Sequence, residues 1–292
     1  MSLSGLYILC RWLHFGALMS LAGAGIFSTL LAPARYRARL SVRFRPLINT
    51  SCWLTLLTTL LLLTAQTGLM GDGWQDTISA DVWFAVLQTA FGRAWQWQCV
   101  LALLGCLLLL LPGRLCQPWL LMCAVCQLVG LAFVGHAAML DGWMGALQRG
   151  NQIVHLLAAA FWAGGLWPVV ILMREARNAT WRYDAIKTMM RYSRYGHLAV
   201  ALVIASGVTA ARLLLGWPLV SFRLYSQLLL LKTLLVAAMV AIALFNRYWL
   251  VPRFQRSGAG AQHHFVTTTR VEVVLATLAL LSVSLFATLE PA

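Results

Sequence analysis

Apolar residues recur along this chain in long, nearly unbroken runs, separated by short stretches where arginine, glycine, proline and the few acids collect. A bilayer core asks for about 20 apolar residues per helical span, and windows of that length recur eight times. They lie near residues 6–31, 47–69, 94–111, 119–140, 150–173, 195–216, 225–249 and 269–289. Inside lipid each must be a helix, because an open strand would leave backbone groups unpaired. The expected fold is an all-α integral membrane protein of eight transmembrane helices, a single polytopic domain over residues 1–292 with no internal repeat and no linker. The first run is too long for a signal-peptide core and reads as a span.

The connections carry their own pattern. After the second window, Met70-Gly71-Asp72-Gly73-Trp74 is turn chemistry. Val82, Trp83, Val86, Leu87 and Ala90 then fall at helical spacing within residues 78–91, which predicts a short interfacial helix lying on the membrane. Residues 257–262, followed by His263 and His264, read as a polar solvated loop.

Composition agrees with a membrane chain. Of 292 residues 61% are hydrophobic and 10% are charged, against about 25% charged in a soluble domain. A soluble fold of this size lacks the interior to hide that much apolar side chain. The net charge of +14 raises nucleic acid as a partner, but no basic stripe interleaved with aromatics is present. The basic residues fall between the apolar runs instead. Sixteen of them flank the odd-numbered connections: Arg35, Arg37, Arg39, Arg43, Arg45, Arg114, Arg174, Arg177, Arg182, Lys187, Arg191, Arg194, Arg247, Arg253, Arg256 and Arg270. Five flank the even ones, namely Arg11, Arg93, Arg149, Arg212 and Arg223, while Lys232 lies within a span. The bias places the odd connections in the cytoplasm and both termini outside.

Much chemistry is absent. No glycine-rich phosphate loop with its Lys-Ser/Thr appears, and no polar segment is long enough for a nucleotide domain, so a self-contained ATP-driven pump is excluded. No enzyme is expected. The seven cysteines sit mostly inside apolar runs, where packing is their expected role. Cys123 and Cys126 form a C-x-x-C on an apolar helix without the polar context of a redox motif.

What remains is polar residues within spans, which are costly in lipid and point to function. His14 lies about eight residues into the first window, roughly 12 Å below its outer end at 1.5 Å per residue. His136 closes the fourth window, and His155 opens the fifth at a similar depth. Three imidazoles from three helices are therefore expected to converge on one outer metal site. Asn151 stands one turn before His155 on the same face. Met139 follows His136 at helical spacing, with Asp141 and Met144 at the adjacent mouth. Imidazole with thioether suits copper, whereas carboxylate cages suit magnesium or calcium. The same residue type also serves plain hydrogen bonding between membrane helices. His197 sits at the inner end of the sixth window, with Asn246 and Glu272 at comparable depth. Lys232, a third of the way down the seventh, is placed to neutralise an acid, repel a second cation or snorkel outward. A b-type haem held by two outer histidines is the alternative use of the same residues; the inner end offers His197 alone, too few for a second haem.

At these residues the chain resembles the copper resistance protein D family (CopD/PcoD), especially its YebZ-like branch. The resemblance is carried by Arg11-Trp-Leu-His14-Phe, Gly68-Leu-Met-Gly-Asp-Gly-Trp74, Gly135-His136-Ala, Asn151-x-x-x-His155-Leu and Trp162-x-Gly-Gly165. It continues through Gly196-His197, Leu228-Leu-Leu-Leu-Lys232, Asn246-Arg-Tyr248, Val251-Pro-Arg253 and the closing Ala287-Thr-Leu-Glu-Pro291. The resemblance implies copper homeostasis and movement of copper ions across the inner membrane, with a periplasmic CopC-like protein as partner. By position, His14, His136, His155 and His197 become the copper-handling residues. Met70 and Asp72 join Asp141 and Met144 at the outer mouth. With no fused CopC domain and no Met-rich or His-rich tail in the sequence, delivery is expected to need a separate partner.

Overall fold

The computed structural model describes residues 2–135, 141–215 and 224–286, and among these there is no strand. Ten α-helices follow one another: α1 (Leu3–Ile26), α2 (Ala34–Arg43), α3 (Arg45–Met70), α4 (Ala80–Gln88), α5 (Ala90–Leu108), α6 (Gly113–Gly130), α7 (Gly142–Glu175), α8 (Arg182–Leu215), α9 (Leu224–Phe245) and α10 (Phe254–Phe286). A π-helical turn, Phe27–Leu31, extends α1, and a second, Asn246–Leu250, extends α9.

Seven of these helices are long and apolar enough to cross a membrane: α1 with its π turn, α3, α6, α7, α8, α9 and α10. The third predicted window is also helical, as α5, but Arg93, Gln96 and Gln98 in its first half keep it out of that group. Several helices outrun their apolar windows. α8 starts at Arg182 rather than near 195, and α10 at Phe254 rather than near 269. The polar loop expected before His263 is thus helix. Backbone hydrogen bonding continues past the lipid boundary wherever the polar side chains of the extra turns find water or partners. The segment expected as one helix over 78–91 is split: α4 stops at Gln88, and Thr89 caps α5 by accepting from Gly92 N at 3.0 Å.

The first connection, read only as a cluster of arginines, contains a helix with a task. Along α2, Arg35 pairs with Asp184 at 2.9 Å, Arg39 with Glu175 at 2.9 Å and Arg43 with the same carboxylate at 2.5 Å. Both acids are buried, one closing α7 and the other in the first turn of α8. Between the arginines Tyr36 is wholly buried and stacks on Trp181, ring centroids 5.5 Å apart. Burial pushes its phenol well above the usual range. α2 therefore ties the α7–α8 hairpin to α1 and α3.

α1 and α7 pack back to back at the centre of the molecule. A Cβ at Gly23 would run into Gly164 O, and one at Gly164 into Met19 O. Small residues that let backbones meet are the usual glue between helices in lipid. α3 lies against α1, and α8 against α7. α5 and α6 close one side, while α9 packs almost wholly on α10 at the other edge.

Candidate functional site

Helical periodicity fixes where His14 and His155 face. His14 precedes Gly23 by nine residues, and His155 precedes Gly164 by nine. At about 100° per residue, nine residues amount to two and a half turns. Each histidine thus lies opposite its glycine contact, on the outer faces of the α1–α7 pair. His14 looks toward α3 and α5, and His155 looks toward α8.

Each ring meets the same device. His14 Nδ1 is 3.0 Å from Thr58 Oγ1, and that hydroxyl already donates to Leu54 O at 2.7 Å. A hydroxyl has one proton to give, so Thr58 accepts and Nδ1–H donates. In the neutral ring the lone pair then sits on Nε2, which is buried and has no hydrogen-bond partner among the described residues. His155 Nδ1 is 2.8 Å from Ser206 Oγ, whose proton goes to Leu202 O at 2.5 Å. No hydrogen bond reaches its Nε2 from the described residues, and a Cβ at Gly207 would meet the ring at Cε1, 3.8 Å away. Anchoring one ring nitrogen so that the other presents a lone pair is how proteins prepare a histidine for a metal.

Surroundings differ between the two stations. His14 lines a cavity of about 30 Å³ with Tyr7, Arg11, Trp95, Val134 and Gly135. Arg11 Nε is buried there without a partner among the described residues, its guanidinium 5.5 Å from the Phe15 ring centroid. Trp95 stands 5.9 Å from the His14 ring and donates to Thr59 O. At His155, Asn151 reaches the same neighbour and donates to Ser206 O at 2.9 Å, as its one-turn offset requires. The cation near His155 is Lys232, whose charge reaches the ring and whose Nζ lies 5.9 Å from the Phe286 centroid.

His197, Asn246 and Glu272 form a separate group. His197 is exposed and held at both ring nitrogens. Nδ1 donates to Ser193 O at 3.0 Å, and Nε2 lies 3.2 Å from the Tyr248 hydroxyl. Asn246, at the start of the second π turn, donates to Glu272 Oε2 at 3.0 Å and accepts from Thr268 Oγ1 at 2.6 Å. Asn246 and Glu272 are both buried.

Met70, Asp72, Asp141 and Met144 are exposed, and Met144 is three helical turns from His155. His136 and Met139 lie outside the described residues. Among the described residues no three His, Cys, Asp or Glu side chains come together as a group able to hold a metal ion. The cavity beside His14 has room for a water or two, so that station does not fit a haem macrocycle.

Sequence reasoning passed over Thr58 and Ser206, and used Arg11 in the charge bias and in the Arg11-Trp-Leu-His14-Phe motif but gave it no role at the site. The signal for Arg11 was present, since it lies one turn before His14. Thr58 and Ser206 gave none, being two hydroxyls among many on apolar helices.

The chain matches the model of the copper resistance protein D-like N-terminal domain over residues 1–146 and that of copper resistance protein D over residues 186–286. It is 41% identical to the inner membrane protein YebZ of Escherichia coli (strain K12) over 285 residues, 98% of each chain. It is 27% identical to the copper resistance protein D of Pseudomonas syringae pv. tomato over 263 residues, covering 86% of this chain and 84% of that one. No solved structure matches.

Proposed function

The chain belongs to the copper resistance protein D family, and from that premise we propose that it is a carrier, not an enzyme, moving copper ions across the inner membrane. The observation that carries the reading is the pair of anchored imidazoles, His14 and His155, whose Nε2 atoms have no hydrogen-bond partner among the described residues, that of His14 being fully buried. Neutral imidazole is a good ligand for copper, and one or two nitrogens hold an ion weakly enough for it to leave. Copper would enter near Met70, Asp72, Asp141 and Met144, with His136 and Met139 serving the His14 side. His197 would take the ion at the inner end after giving up its bond to Tyr248. Arg11 and Lys232, one cation near each station, favour release over tight storage.

In this reading α5 is the eighth span, both termini are periplasmic, α4 lies on the outer membrane surface and α2 faces the cytoplasm. A periplasmic CopC-like protein hands copper to the outer mouth.

The test is copper content and copper flux of the purified protein. Two stations on opposite faces of α1–α7 predict that His14→Ala and His155→Ala each remove part of the bound copper and stop flux through vesicles. Retention of all copper and full flux in both variants, at normal folded yield, would sink the proposal. Complete loss of copper from either variant alone would point to one shared site instead.

A further inference from the structure

Three acids are buried in the described part of this molecule: Glu175, Asp184 and Glu272. The first two are clasped by arginines of α2. Glu272 is paired with no cation among the described residues. One of its oxygens accepts from the Asn246 amide, while Oε1 is buried with no partner among the described residues. An ionised carboxylate left like that in a low-dielectric interior is costly, so something positive belongs on Oε1.

The neighbours do not supply it. From α8 the titratable group that senses Glu272 is Tyr192, whose hydroxyl is spent on Trp162 O at 2.6 Å. The second π turn supplies the uncharged Asn246, and its Arg247 guanidinium is turned to Ser193. Arg253, in the turn before α10, lies over the Trp249 ring and donates to Trp249 O. α7 contributes the apolar Trp162 and Leu166 to the packing around α10. α1 meets α10 through Trp12, whose indole donates to Thr277 O. On α10 itself Thr268 bonds to Asn246, and Arg270 is exposed. Lys232 sits against Phe286, fourteen residues or about 21 Å along the helix from Glu272.

We propose that Glu272 is a proton site through which copper passage is exchanged against protons. With no cation at hand Oε1 carries a proton. When copper arrives from the histidines the O–H bond breaks, the proton goes to water on the side the copper came from, and the metal ion takes its place. As the metal leaves on the other side, a proton from the water there restores the O–H bond. The exchange is charge-neutral for a singly charged ion. Asn246 holds the carboxyl in place in either state, and the π turn that presents it is the kind of local irregularity that recurs at functional sites. This inference rests on the carrier reading for its cargo, but not for the proton.

Two measurements on the full-length protein test it. In infrared spectra of purified wild type, the carbonyl band of an un-ionised carboxylic acid is expected, shifting in heavy water and missing from Glu272→Gln. In vesicles containing a trapped pH indicator, copper entry should be matched, with wild type, by release of protons from the lumen, read as a rise in internal pH. That release should fall at least ten-fold with Glu272→Gln and be partly kept with Glu272→Asp. An unchanged carbonyl band in Glu272→Gln, or unchanged proton release per copper, overturns the proposal. If wild-type vesicles admit no copper, the carrier reading fails, and the infrared band still decides whether Glu272 holds a proton.

Discussion

A threonine hydroxyl has one proton, and the Leu54 carbonyl takes the one on Thr58. That small fact sets the tautomer of His14 and frees its Nε2. Thr58→Val should therefore cost copper affinity about 10- to 100-fold, the usual loss when a ligand's supporting hydrogen bond goes, with little loss of folded protein. Thr58→Ser should restore it. Ser206→Ala should act the same way on the His155 station, as read by copper titration of the purified variants. The histidines were legible in the sequence because a polar side chain in an apolar run stands out. Their anchors were not, because Thr58 lies 44 positions from His14 and Ser206 lies 51 from His155. Hydroxyls that back-bond to their own helix leave no mark on the apolar pattern. The expectation of a single convergent site rested on depth alone, and depth says nothing about which way round a helix a side chain points.

At the scale of elements, the apolar windows located the long helices well and their ends poorly. A window ends where lipid ends, whereas a helix ends where its backbone bonds run out. The polar first turns of α8 and α10 belong to the second kind of boundary. α2 was hidden for another reason: a ten-residue helix carrying four arginines has no apolar run to announce it. The pairing of α1 with α7 was present in the sequence as two His-to-Gly intervals of equal length, but glycines on membrane helices are too frequent for that to be read beforehand. Gly164→Leu should drive α1 and α7 apart, costing about 1–3 kcal/mol or more by overpacking. A lowered unfolding midpoint in detergent checks this, and an unaltered midpoint would mean the helices do not meet there. Gly105→Ala, where an added Cβ meets nothing within 4 Å, is the control and should not lower the midpoint.

For the whole molecule, the charge bias and the ion pairs are the same residues seen twice. Arg35, Arg39 and Arg43 belong to the basic majority that sets the proposed orientation, and they also hold Glu175 and Asp184. Cysteine placed at Ser2 should react with a membrane-impermeant reagent added outside the cell, and cysteine at Ser41 should not; the reverse pattern would invert the proposed topology. Glu175→Gln should cost about 1–3 kcal/mol, less than a fully buried pair because the arginine ends are 35% and 47% exposed. A lowered thermal midpoint measures it. These contacts also join distant parts of the chain, for Arg43 and Glu175 are 132 residues apart. At roughly 5–20 residues per second of synthesis, the first arginines wait roughly 7–26 s for their partners to be made. During that interval they are free to orient the nascent chain against the membrane. Only when the turn between α7 and α8 emerges are they locked away, so the ion pairs record the arrival of α7, with α9 and α10 still to be made.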